Sequence, residues 1–166
     1  MTEVLNMMIE GYDPQKAELE DPSVKDWKEI IGARQNDLII QAELTGIENN
    51  SNKVCGIVYF GETKIKGIIP FEFSGCETIQ QLRKLTGTKI VFKVINYDRE
   101  NNVFIASRKA ALDHMANITW KRLEKDQIIP AVVKDVRANE IRVDIGGIMV
   151  DIPIQEVDYG WIDNLF

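Results

Sequence analysis

Asp37-Leu-Ile-Ile-Gln-Ala42 and Asp126-Gln-Ile-Ile-Pro-Ala131 are variants of one phrase, and reading them as a repeat decides the fold. Extended without gaps, the match is identical at Asp37/Asp126, Ile39/Ile128, Ile40/Ile129, Ala42/Ala131 and Asn50/Asn139, and conservative at Leu44/Val133 and Ile47/Val136. Further on, Val58-Tyr-Phe-Gly61 leads to Lys66-Gly-Ile-Ile-Pro70, just as Val143-Asp-Ile-Gly146 leads to Val150-Asp-Ile-Pro153. Each copy therefore reads as three strands separated by turns. Glycine supplies a backbone conformation that bulkier residues resist, and proline ends a strand because it cannot extend an inner ladder. Three sequential strands joined this way form an antiparallel meander.

Beyond Pro70 the first copy continues. Glu77 to Gly87 carries apolar residues at 79, 82 and 85 before a glycine, the pattern of a short helix. Lys89-Ile-Val-Phe-Lys-Val-Ile95 is β-branched and aromatic, Asp98 to Asn102 reads as a turn, and Val103-Phe-Ile-Ala106 as a last strand. Five strands with a short helix between the third and fourth is the order of an OB-fold barrel. The chain is thus expected to be mainly β, with tandem OB-fold five-stranded antiparallel barrels. The second is incomplete, because residues 126–166 are too few for strands four and five, and the sequence is expected to be a piece of a longer protein.

Between the copies, Ser107 to Lys125 reads as a linker helix capped by Ser107, with Leu112, Ala116, Trp120 and Leu123 as its apolar stripe. Arg108, Lys121, Arg122 and Lys125 fall on another face. The expected divisions are 1–35 as an acidic, partly helical lead-in, 36–107 as the first barrel, 108–125 as the linker and 126–166 as the partial second barrel. Within the lead-in, Ser23 to Ala33 is expected to form a short docking helix through Trp27, Ile30 and Ile31.

The 166 residues are 45% hydrophobic and 28% charged, an ordinary globular balance. No apolar run reaches the roughly 18 residues needed to span a bilayer, and Glu3 stands where a secretory leader would be basic. A cytoplasmic protein without a membrane partner is expected. Two cysteines, Cys55 and Cys76, and one histidine, His114, are too few for a four-ligand zinc site, so reduced thiols, a surface histidine and no metal are expected. No GxxxxGK, GxSxG or HExxH occurs, which points away from an enzyme, a cofactor or a small-molecule substrate. Acidic pairs such as Glu18 and Glu20 read as solvated charge. The formal charge is −6, yet residues 108–125 hold 5 basic against 2 acidic groups. That segment is basic.

The run of strand, Gly61, Gly67-Ile-Ile-Pro70, short helix, Lys89 to Ile95, Asp98-Arg-Glu and Ser107-Arg-Lys-Ala resembles the S-one RNA-binding domain, the OB-fold repeat of ribosomal small-subunit protein one. The helix with Trp120 and Leu123 resembles the linker between such repeats. The resemblance implies single-stranded RNA bound on strands two and three, in translation or RNA handling, with the small ribosomal subunit as a further partner. It places the family's stacking aromatics at Val54 and Ile57, its histidine at Pro70, its acidic residue at Asp98 and its basic residue at Val103. Only Asp98 keeps the residue type. In the second copy the aromatic positions fall on Asn139 and Arg142 and the histidine position on Pro153. The Gly-Ile-Ile-Pro ending is similar to the first repeats of that protein, whose role is docking, so a protein-docking module is the alternative reading.

RNA binding of this kind combines stacking rings with a basic groove. The candidates are Tyr59, Phe71 and Phe73 as rings, with Lys53, Lys64 and Lys66 around the turn between strands two and three. Asp98 joins them by resemblance. Arg108, Lys121, Arg122 and Lys125 on the linker and Arg142 in the second copy are candidates for phosphate. Tyr159 and Trp161 resemble the loop after strand three, Trp161 as a cover for the barrel's bottom.

Overall fold

The computed structural model describes residues 21–157. Glu18, Glu20, Tyr159 and Trp161 lie outside them. The chain opens with α1 (Pro22–Gln35), whose N-cap Asp21 accepts from the Ser23 N–H. Five strands follow, β1 (Ile40–Asn50), β2 (Lys53–Phe60), β3 (Ile65–Pro70), β4 (Lys89–Asp98) and β5 (Val103–Ser107). They close into a barrel of order β1-β2-β3-β5-β4, with β3 and β5 parallel and the other pairs antiparallel. A 3-10 turn (Phe71–Phe73) and the short α2 (Ile79–Lys84), N-capped by the Thr78 hydroxyl, bridge β3 to β4. The expected element order of the first barrel is therefore present, and the architecture is OB-like.

The barrel interior is filled by alternating residues of each strand, with Leu44, Val58, Ile65, Ile69, Phe92 and Phe104 buried. Phe92 and Phe104 stack with centroids 5.8 Å apart, and Phe60 meets Phe104 edge-on at 6.5 Å. α1 belongs to this core: Trp27, Ile30 and Ala33 are buried in the same cluster. Its Trp27 indole donates to Asn102 Oδ1, and Arg34 Nε donates to the Ile95 carbonyl. The helix expected from Ser23 to Ala33 is thus slightly longer and structurally part of the barrel.

The linker helix α3 (Arg108–Arg122) begins as expected, with the Ser107 hydroxyl accepting from the Ala110 N–H. It stops short of Lys125, which lies in the following loop. Its inward face also differs from the expected stripe. Arg108 and Ala111 are buried, Leu112, Met115 and Thr119 are half-buried, and Trp120 is 72% exposed. Of the expected stripe, Leu112, Ala116 and Leu123 are half-buried and Trp120 alone turns to solvent.

A separate three-stranded sheet, β6 (Val132–Val136), β7 (Glu140–Asp144) and β8 (Met149–Pro153), follows α3, with a second 3-10 turn at Ile154–Glu156. Its register parallels that of the first meander. Leu44 faces Val58, which faces Gly67; Val133 faces Val143, which faces Val150. Cys55 faces Pro70 as Glu140 faces Pro153, and the first strand of each meander bulges at Leu44/Gly46 and at Val133/Asp135. Asp37 and Asp126, ahead of the two meanders, both have positive φ, 54° and 65°. One sequence identity does not carry over. Asn50 ends β1, whereas Asn139 sits in a shorter hairpin closed by Arg137 N–H donating to the Glu140 carbonyl. Among the described residues the second sheet does not close into a barrel.

Candidate nucleic-acid interface

The outer faces of β2 and β3 are the surface to examine. Alternation along β2 turns Val58 and Phe60 inward and Tyr59 outward, where its ring is exposed. Lys66 lies opposite Tyr59 in the ladder, and its ammonium donates to both Glu48 carboxylate oxygens at 2.8 and 3.0 Å. That bond raises the Lys66 pKa and spends part of its charge inside the protein. Lys64 sits in the β2–β3 turn at φ 53° with its side chain exposed. Tyr59, Lys64 and Lys66 are therefore one neighbourhood.

Lys53 is not part of it. It begins β2, at the end of the strand remote from the β2–β3 turn, where Cys55 pairs with Pro70. The 8 residues of β2 separate it from Lys64 and Lys66, beside which the sequence alone suggests it should sit. At that end Lys53, Val54, Pro70, Phe71 and Ile79 line a groove of about 360 Å³. Phe71 is half-buried against the core and Phe73 is exposed, both in the 3-10 turn after β3.

Four of the five positions taken from the family resemblance are aliphatic, and Asp98 is the fifth. Ile57 is buried, held near the β1 bulge where Thr45 Oγ1 donates to its carbonyl at 3.0 Å. Val54, Pro70 and Val103 are half-buried. Asp98 is occupied locally: its carboxylate accepts from the N–H groups of Glu100 and Asn101 and from the Asn101 side chain. The Asn101 side chain and then the backbone N–H bonds hold its pKa below the usual carboxylate value. Asp98 shapes the β4–β5 turn.

The cations divide into engaged and unengaged groups. Arg108, expected on the solvent face of the linker, is buried and donates from Nη1 to the Ser74 carbonyl at 2.9 Å. Burial lowers its pKa. It is a structural pin between α3 and the loop after β3, because the barrel wall supplies a carbonyl that only folding brings there. Arg142 is paired side-on with Asp151, through Nε and Nη2 at 2.7 and 2.9 Å, which raises the arginine's pKa and lowers the aspartate's. Lys121, Arg122 and Lys125 are exposed. His114 is half-buried rather than fully at the surface, with Nδ1 4.0 Å from the Asp37 carboxylate that also accepts from Lys93. Sequence reasoning missed Trp120 as a surface ring; its adjacency to Lys121 and Arg122 was the available signal.

Cys55 and Cys76 are free thiols. Among the described residues no group of three or more His, Cys, Asp or Glu is placed to hold a metal ion, and no helix is long and apolar enough to cross a membrane.

No family model matches the chain. Over 140 residues it is 28% identical to the small ribosomal subunit protein bS1 of Neisseria meningitidis serogroup B (strain ATCC BAA-335 / MC58). This chain is similar to a ribosomal protein. The match covers 82% of this chain and 24% of bS1, so the chain spans about a quarter of the length of the curated relative it matches. An S-one-like, OB-like domain is the family-level reading this similarity suggests.

Proposed function

We propose that this chain is a non-catalytic, single-stranded RNA-binding protein of the cytoplasm, acting in translation or RNA handling with the small ribosomal subunit as a partner. The observation that carries the reading is the closed β1-β2-β3-β5-β4 barrel in a chain similar to bS1. Tyr59 offers an outward ring on strand two, and Lys64 and Lys66 offer charge beside it. In domain terms, residues 36–107 with α1 make the first RNA-binding unit, 108–125 the linker and 126–166 part of a second unit of the same kind.

Affinity is expected to be weak, because the outer face is mostly aliphatic, the net charge is −6 and Lys66 is already paired. With about three phosphate contacts on a single strand, log affinity should fall against log salt with a slope of roughly −2. Fluorescence anisotropy with a labelled uridine-rich RNA 12-mer at about 50 and 200 mM salt tests this. Binding that weakens between the two, and that Tyr59→Ala with Lys64→Glu removes, is the expected result. No binding at the lower salt overturns the proposal.

A further inference from the structure

We propose that Trp120 is a stacking platform for a base of single-stranded RNA, with Lys121 and Lys125 receiving the neighbouring phosphates. The inference rests on the RNA-binding reading above and adds to it a site off the barrel, on the helix between the two sheets.

The first argument is exposure on a rigid support. Trp120 is the most exposed aromatic side chain among the described residues. Its helix is gripped at both ends: Arg108 Nη1 bonds the Ser74 carbonyl near the start, and Thr119 Oγ1, one residue before Trp120, donates to the Gly146 carbonyl at 2.7 Å. The turn at Gly146 packs so closely that a Cβ there would lie 2.6 Å from Thr119 Oγ1. The ring is thus displayed from an anchored backbone, which lowers the ordering cost of using it.

The second argument is charge. Lys66, Lys93, Arg137 and Arg142 each make an ion pair, whereas among the described residues Lys121, Arg122 and Lys125 make none. Lys121 directly follows the ring, about 100° round the helix, and Lys125 lies in the loop beyond, in a segment (108–125) that holds 5 basic against 2 acidic groups. Acidic groups nearby are Glu124 and Asp126, and Asp113 two turns back along the helix.

The third argument separates RNA from a protein partner. At about 100° per residue, Trp120 lies between exposed, polar Lys109, Asp113 and Asn117 on one side and half-buried Ala116 and Leu123 on the other, while exposed Ile118 points to the opposite side of the helix. A protein groove needs a contiguous apolar patch. A base needs one ring and adjacent positive charge, which is what this face provides.

Stacking on one ring corresponds to roughly a 5- to 150-fold change in affinity. Trp120→Ala and Trp120→Phe are compared with the unchanged protein by anisotropy with the same 12-mer, and RNA quenching of tryptophan emission is recorded in parallel. Because the ring is exposed, circular dichroism and thermal midpoint of Trp120→Ala should match the unchanged protein. The proposal expects Trp120→Ala to weaken binding at least about fivefold, Trp120→Phe to keep most of it, and RNA-induced quenching to disappear in Trp120→Phe. RNA binding that Trp120→Ala leaves intact, but Tyr59→Ala with Lys64→Glu abolishes, overturns this inference and leaves the barrel reading standing. Unchanged RNA affinity with altered sedimentation of Trp120→Ala assigns the ring to a protein contact and also overturns it. Failure of the unchanged protein to bind RNA overturns both.

Discussion

The two meanders share a strand register and differ in what covers them. Leu44 and Val133 occupy corresponding ladder positions, opposite Val58 and Val143, yet Leu44 is 0% exposed and Val133 53%. In the first unit β4 and β5 complete the wall, and Leu82 from α2 helps fill the inside. In the second, among the described residues, the sheet meets α3 through the Gly146–Gly147 turn, and Val143 is the one buried hydrophobic side chain of the sheet. The same hairpin pattern therefore specifies pairing, while burial comes from what closes around it.

Both meanders also rest a glycine turn on the helix that precedes them. In the first, Gly61 has φ 75° and a Cβ there would overlap the Asp26 carboxylate of α1, which accepts from the Thr63 N–H at 2.8 Å and hydroxyl at 2.6 Å. In the second, Thr119 of α3 reaches the Gly146 carbonyl, and Asp144 within the turn accepts from the Gly146 and Gly147 N–H groups. A carboxylate joins helix to turn in one unit, and a hydroxyl does so in the other.

The sharpest way to break the comparison is truncation at the paired positions. Leu44→Ala should cost about 2–5 kcal/mol of stability in urea denaturation, and Val133→Ala less than about 0.5 kcal/mol. Equal costs would mean that the second sheet's face is covered. Next comes the helix–turn link. Burial works against the Asp26 charge, but the Thr63 hydroxyl, the Thr63 N–H and the Glu62 N–H outweigh it, so the carboxyl sits below its ordinary value of 3.8. Its contribution is present above the unfolded pKa and disappears as pH falls through the lowered folded value. Asp26→Asn should cost about 1–3 kcal/mol at neutral pH and flatten the acid limb of stability measured from pH 6 downward. A Thr119→Val change in the second unit should leave that limb unaltered. The smallest effect is expected at the exposed Arg142–Asp151 pair, where Arg142→Ala should barely move the urea midpoint, and less still at high salt.

The first barrel was legible in the sequence because its strands, turns and linker cap each carry a local signal: Gly61, Pro70, Asp98 and Ser107 all act where the pattern places them. The site was less legible. Arg108 reads as a free cation, since nothing local announces the Ser74 carbonyl that it meets across the fold. Trp120 reads as core, because periodicity ranks faces by apolar size, whereas α3 packs through Ala111, Leu112 and Met115. Lys53 reads as a neighbour of Lys64 until β2 separates them by the length of a strand. Asn139 matches Asn50 by count, but the shorter second hairpin moves it into a turn. Each difference arises from tertiary packing or strand length, which local patterns do not encode.

The most direct test of the account is backbone amide chemical-shift mapping of the ¹⁵N-labelled protein titrated with a uridine-rich RNA 12-mer at about 50 mM salt. The account predicts shifts concentrated at Tyr59, Lys64 and Lys66 and along the end of α3. Shifts absent at saturating RNA, or confined to surfaces away from β2, β3 and α3, would contradict it.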